Sequence, residues 1–114
     1  NGKGLNILKL IRNIKNMNEK RVNQYKLTLE YLKNSKGEEM QEPPIELLFQ
    51  NHDNIYNILK VVQEKDLFGD NSQTTQFVIG LKLFGDIVMR NRDLELFKEM
   101  QPAFLEFMKK LKSK

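Results

Sequence analysis

The stretch Thr74–Arg92, TTQFVIGLKLFGDIVMRNR, decides the fold. Phe77, Leu81, Phe84 and Val88 recur at i, i+4, i+7 and i+11, the spacing of one helical face. Val78, Leu83, Ile87 and Met89 widen that stripe, and Lys82, Asp86 and Arg90 mark the polar edge. A helix this apolar is expected to be buried on most sides, with the rest of the chain arranged to cover it. Gly80 and Gly85 interrupt it, each at a cost of about 1 kcal/mol relative to Ala. Two readings account for them: close packing against another helix or the sheet, or a ligand or partner contact near Phe84. Neither glycine belongs to a phosphate-binding turn, because both lie inside a helical pattern rather than between a strand and a helix.

Upstream, Asn51-His52-Asp53-Asn54 marks a switch of period from two to 3.6. Asp53 is the expected N-cap of a helix running to Lys65 with the stripe Ile55, Ile58, Leu59 and Val62. Residues 66–73 read as a loop in which Gly69 takes positive φ, and Ser72 or Thr74 caps the central helix. Before that junction, Tyr25, Leu27, Leu29 and Tyr31 alternate with Lys26, Thr28 and Glu30, a strand with one apolar face. Ile45–Gln50 is a second strand with Ile45, Leu47 and Phe49 facing the core, and the polar stretch KNSKGEEMQEPP joins the two. Downstream, Asp93 is placed to cap a short helical piece over 94–100. Pro102 suits the first turn of a last helix carrying Phe104, Leu105, Met108 and Leu111.

The expected fold is therefore α+β: an antiparallel hairpin (about 23–32 and 45–50) packed by three or four helices (about 53–65, 74–92, 94–100 and 102–112). A chain of 114 residues is long enough for a single core without metal or disulfide, and it contains no cysteine. No run approaches the length of a membrane span, and no segment has the order of a signal peptide, so a cytoplasmic protein is expected.

Residues 1–16, NGKGLNILKLIRNIKN, stand apart. They hold Lys3, Lys9, Arg12 and Lys15 and no acid, whereas residues 17–114 balance 15 basic against 15 acidic residues. The basic excess belongs to this extension and not to the domain of residues 17–114, which argues against a nucleic-acid-binding body. Three readings of the extension remain open: a packing helix over about 5–16, an addition ahead of a natural start at Met17, or a basic amphipathic binding arm.

Candidate chemistry is sparse. His52 is the single histidine, so one chain offers no two-histidine metal site. Beside Asp53 it has the look of a general base, yet no nucleophile accompanies it, and a half-exposed junction residue is the plainer reading. Glu38, Glu39 and Glu42 fall in a polar loop, without the burial that acid–base carboxylates need. Lys82, Asp86 and Arg90 at i, i+4 and i+8 form a salt-linked row, extended by Arg92 into a small polar surface. Lys109, Lys110, Lys112 and Lys114 add a basic tail that could meet phosphates, without any nucleic-acid motif beside it.

GLKLFG (Gly80–Gly85), Asn91-Arg92, Leu96-Phe97, QPAFLEFM (Gln101–Met108), the Asn51-His52-Asp53 junction and the strand YKLTLEYL together resemble a family of small bacterial proteins, domain of unknown function 3861. The resemblance runs from about Arg21 to Lys112 and leaves residues 1–16 outside. It implies a compact bacterial cytoplasmic domain and no catalytic residues or cofactor. The expected function is a non-enzymatic interaction or structural module acting as a homodimer, since a two-stranded sheet and a very apolar helix leave surface to cover. A small-ligand-binding protein with a pocket between the hairpin and the central helix is the alternative, and a nucleic-acid accessory protein using the basic ends is the second. Contacts for a ligand or partner are expected at Gly80, Phe84, Gly85, Arg90 and Arg92, with His52 the weakest candidate.

Overall fold

The computed structural model describes residues 22–113. The N-terminal extension, the helix expected over about 5–16 and Lys114 lie outside the described residues. The elements run β1 (Asn23–Leu29), β2 (Ile45–Asn51), α1 (Ile55–Lys65), α2 (Asn71–Arg90), α3 (Glu95–Lys98) and α4 (Gln101–Ser113). This is an α+β chain of one two-stranded antiparallel hairpin and four helices among the described residues. It divides into two compact units that meet between Asp53 and Asn54.

In the hairpin unit the alternation seen in the sequence sets the register. Tyr25 stands opposite Phe49, Leu27 opposite Leu47 and Leu29 opposite Ile45, so one face is a ladder of apolar pairs. Tyr25 and Phe49 stack with ring centroids 5.3 Å apart. The opposite face is wet, and Lys26 reaches Glu46 diagonally at 3.5 Å. The strands are shorter than expected on the β1 side, ending at Leu29 rather than near residue 32. Beyond them the connection is not structureless. Met40 N–H donates to the Leu32 carbonyl at 3.1 Å, and Lys33 and Glu39 form an isolated bridge. Asn34 builds the tip, its side-chain oxygen accepting from Lys36 N–H at 3.0 Å and Glu38 N–H at 2.9 Å, while Gly37 takes φ of 82°.

In the helical unit, α1 and α2 pack on each other. Ile55 and Val62 of α1 are buried, as are Thr74, Val78 and Val88 of α2. The buried line of α2 thus lies beside the expected stripe of Phe77, Leu81, Phe84 and Val88 and shares only Val88 with it. The expectation that this helix is buried on most sides fails: Phe84, Ile87 and Met89 are exposed. The excess apolar residues that suggest an all-round core helix instead stand on its surface.

The caps differ from expectation because of hydrogen bonds that residue type alone does not reveal. Asn54, not Asp53, caps α1, its oxygen accepting from Tyr56 N–H at 3.0 Å and Asn57 N–H at 3.3 Å. Asp53 sits one residue too early, inside a turn in which its own N–H donates to the Asn51 side chain at 2.9 Å. Asp70, not Ser72 or Thr74, caps α2, accepting from Ser72 N–H at 3.2 Å and Gln73 N–H at 3.4 Å. The helix accordingly starts three residues earlier than expected. Thr74 lies within its first turn and is buried, with its hydroxyl donating to the Asp70 carbonyl at 3.1 Å. Asp93 does not cap α3; Leu94 occupies that position with no side-chain cap bond. Gly69 takes φ of 66° as expected, and Asp66 joins it in the left-handed region as the C-cap of α1. Pro102 falls in the first turn of α4, where its missing N–H is not needed.

Asn54→Ala and Asp70→Ala are each expected to lower the unfolding free energy by about 1 kcal/mol. Ser72→Ala, past its cap, is expected to change it by less than about 0.5 kcal/mol. Urea denaturation followed by circular dichroism checks all three.

Candidate functional site

The apolar ladder of the hairpin is graded along its length. Tyr25, Leu27 and Phe49 are half-buried, whereas Leu29 is 63% exposed, Ile45 65% and Leu47 43%. The expectation that Ile45 and Leu47 face a core is therefore not met at the loop end of the strands. An open recess of about 560 Å³ lies there, lined by Leu29, Glu30, Tyr31, Glu42, Pro43 and Ile45. Its floor is apolar and its rim holds two carboxylates. On the wet face one residue breaks the alternation. Leu48 is opposite Lys26 and 77% exposed, the highest exposure of any large hydrophobic residue among those described. The signal is present in the sequence, since consecutive leucines in IELLFQ cannot both face one side of a sheet.

His52 is exposed and belongs to the hairpin unit. What the structure uses at this junction is backbone. The Asn23 amide donates to the carbonyls of Asn51 and His52 at 3.3 Å each, and Tyr25 Oη donates to the Asp53 carbonyl at 3.0 Å. These bonds tie the exit of β2 to the start of β1. Among the described residues no three His, Cys, Asp or Glu side chains gather as a metal site would require. Glu38 and Glu39 stand exposed on the hydrogen-bonded tip of the loop.

Gly80, Phe84, Gly85, Arg90 and Arg92 all belong to the helical unit. A Cβ at Gly80 would meet nothing within 4 Å among the described residues, so close packing does not explain that glycine. At Gly85 it does. A Cβ there would stand 3.2 Å from Cζ of Phe104, the ring of α4 that lies against this turn. Phe84 meets Phe104 and Phe97 edge-on at 6.4 and 6.5 Å between centroids while remaining 48% exposed. Arg90 pairs with Asp86 at 2.5 Å on the surface, and the Arg92 carbonyl accepts from the Gln101 amide at 2.6 Å. The structure thus joins Phe84 and Gly85 at one aromatic contact, gives Arg90 an intrahelical partner, and uses Arg92 through its backbone. No helix among the described residues is long and apolar enough to cross a membrane.

A short antiparallel hairpin followed by four helices, with no cluster of metal-binding side chains among the described residues, defines a small α+β module. The chain belongs to the family described as a domain of unknown function with a solved structure, domain of unknown function 3861, whose model matches residues 23–113. Among solved structures it is similar to the 2.20 Å crystal structure of a protein of unknown function from Pectobacterium atrosepticum SCRI1043. The two are 33% identical with a TM-score of 0.69, and the match covers 81% of this chain and 98% of that one. The comparison with curated proteins gives no match.

The two glycines are expected to respond differently. Gly80→Ala should stabilise the protein by about 0.5–1 kcal/mol, because it gains helix propensity at no steric cost. Gly85→Ala must displace the Phe104 ring, and should leave the protein at least about 1 kcal/mol less stable than Gly80→Ala. Thermal and urea unfolding of the two variants side by side measure the difference.

Proposed function

We propose that this protein is a non-enzymatic interaction module that works in the bacterial cytoplasm as a homodimer. The observation that carries the reading is the exposed apolar surface of the hairpin unit, where Leu29, Ile45 and Leu48 each leave more than 60% of their surface uncovered. Leu29 and Ile45 stand opposite each other on one face of the sheet and Leu48 lies on the other, and a protein gains by covering such side chains. A two-stranded sheet is marginal in water, and additional strands or packing supply what it lacks. The absence of cysteine from all 114 residues accords with a reducing compartment.

Light scattering coupled to gel filtration tests the proposal. A mass of two chains that falls towards one on dilution is the expected result. A mass of one chain at the highest soluble concentration overturns it.

A further inference from the structure

The two edges of the hairpin are not equivalent. Among the described residues each strand is hydrogen-bonded to another strand on one side only. β1 spans Asn23–Leu29 and is centred on Lys26. Two copies of β1 meeting antiparallel about their centres would set Lys26 directly against Lys26 of the other copy, a like-charge pair that opposes association. A lysine in the middle of an edge strand is a common guard against such pairing. β2 spans Ile45–Asn51 and is centred on Leu48, which occupies the equivalent position on the same face and is 77% exposed. Where β1 carries its guard, β2 carries an apolar contact.

We infer that the partner of β2 is β2 of a second copy of this chain, paired antiparallel about a twofold axis at Leu48. The inference rests on the homodimer reading above and names its surface. In this register all seven residues of the strand find partners, because Ile45 and Asn51 are equidistant from Leu48. Leu48 packs on Leu48 of the other copy, Leu47 falls opposite Phe49, and Glu46 falls opposite the neutral Gln50. No like charges are opposed. Moving the axis to Leu47 would set Glu46 against Leu48, and moving it to Glu46 would oppose two carboxylates. The axis at Leu48 also keeps the apolar ladders of both hairpins on one face of a continuous four-stranded sheet, in the order β1-β2-β2-β1. Each β1, with its lysine, becomes an outer edge.

The chain lacks cysteine, so one introduced thiol reads the register directly. Directly opposed residues in an antiparallel pair have Cα atoms about 4.5–5.5 Å apart, within the range a disulfide spans. Leu48→Cys in the full chain is expected to crosslink to a covalent dimer under mild oxidation, while Glu46→Cys, which falls opposite Gln50 and not opposite itself, stays largely uncrosslinked. Leu48→Glu faces Lys26 within its own hairpin but opposes its copy across the axis, and is expected to weaken the dimer at least about tenfold. If the native chain is a dimer and Leu48→Glu is equally dimeric, the β2 edge is wrong and the dimer lies elsewhere. Crosslinking of Glu46→Cys as readily as Leu48→Cys would exclude the axis at Leu48 in the same way. A native chain that is monomeric at all concentrations removes both this inference and the reading beneath it.

Discussion

The contact between the Phe104 ring and the bare Cα of Gly85 sets how the C-terminal helix meets the central one. At two stations on α2, Phe77 and Phe84, aromatic rings stand about 10 Å apart along the axis. Phe77 meets Phe107 at 6.1 Å and Phe84 meets Phe104 at 6.4 Å. The pairs run in opposite sequence order, so α4 lies antiparallel to α2. The same two rings hold the segments on either side: Phe77 meets Phe68 of the preceding loop at 5.3 Å, and Phe84 meets Phe97 of α3 at 6.5 Å. Edge-to-face pairs of this kind contribute about 0.5–1.5 kcal/mol each beyond the area they bury. A methyl group at position 85 would require the Phe104 ring to shift by a few tenths of an ångström at the second station.

The hairpin unit faces a different constraint. Strand pairing satisfies half the backbone groups of each strand, and a sheet of two strands leaves as many outward as inward. A sheet can resolve this by guarding an edge or by pairing it. This hairpin carries the mark of the first on β1, where Lys26 is central and ion-paired to Glu46 across the strands. Such an exposed pair adds little stability, between about 0 and 1 kcal/mol. Its larger effect is on what can approach that edge. β2 has no such charge at its centre, and the difference between the two strands lies in single residues facing each other.

Much of this is legible in the sequence, and what is not has identifiable causes. Period-two alternation over Tyr25–Leu29 picks out the strand and its apolar face, and the pairing keeps that face together because a one-residue slip would turn every apolar side chain of the strand to the other side. The helices follow from their period, and the conformation of Gly69 from the need for positive φ in a short turn. The caps do not follow, because Asp, Asn, Ser and Thr compete for the same role. The winner is decided by where the first turn can close, which depends on bonds such as Asp53 N–H to Asn51. The periodic pattern overstates the burial of α2 because an apolar residue count does not say whether another element is present to cover it. Gly80 and Gly85 look equivalent in the sequence. Only the position of Phe104, on a different helix, separates a packing glycine from one with open space beside it. Leu48 escapes a reading of β2 that follows its core face alone.

The small number of buried side chains links folding to association. Among the described residues the fully covered hydrophobic ones are Ile55, Val62, Val78 and Val88, all in the helical unit. None is in the hairpin, whose buried residue is the polar Asn51. Its cross-strand apolar pairs are half-buried at one end and exposed at the other. Whatever binds the folded hairpin and not the unfolded chain stabilises it by mass action. A strand added at the β2 edge would supply backbone hydrogen bonds and apolar contacts together, and its directional bonding selects a register that non-directional burial on α2 does not. On that account the exposed apolar residues of the helices and those of the hairpin have different consequences. The former lie on helices whose backbone groups are already paired within the helix, whereas Ile45, Leu47 and Leu48 sit on a strand.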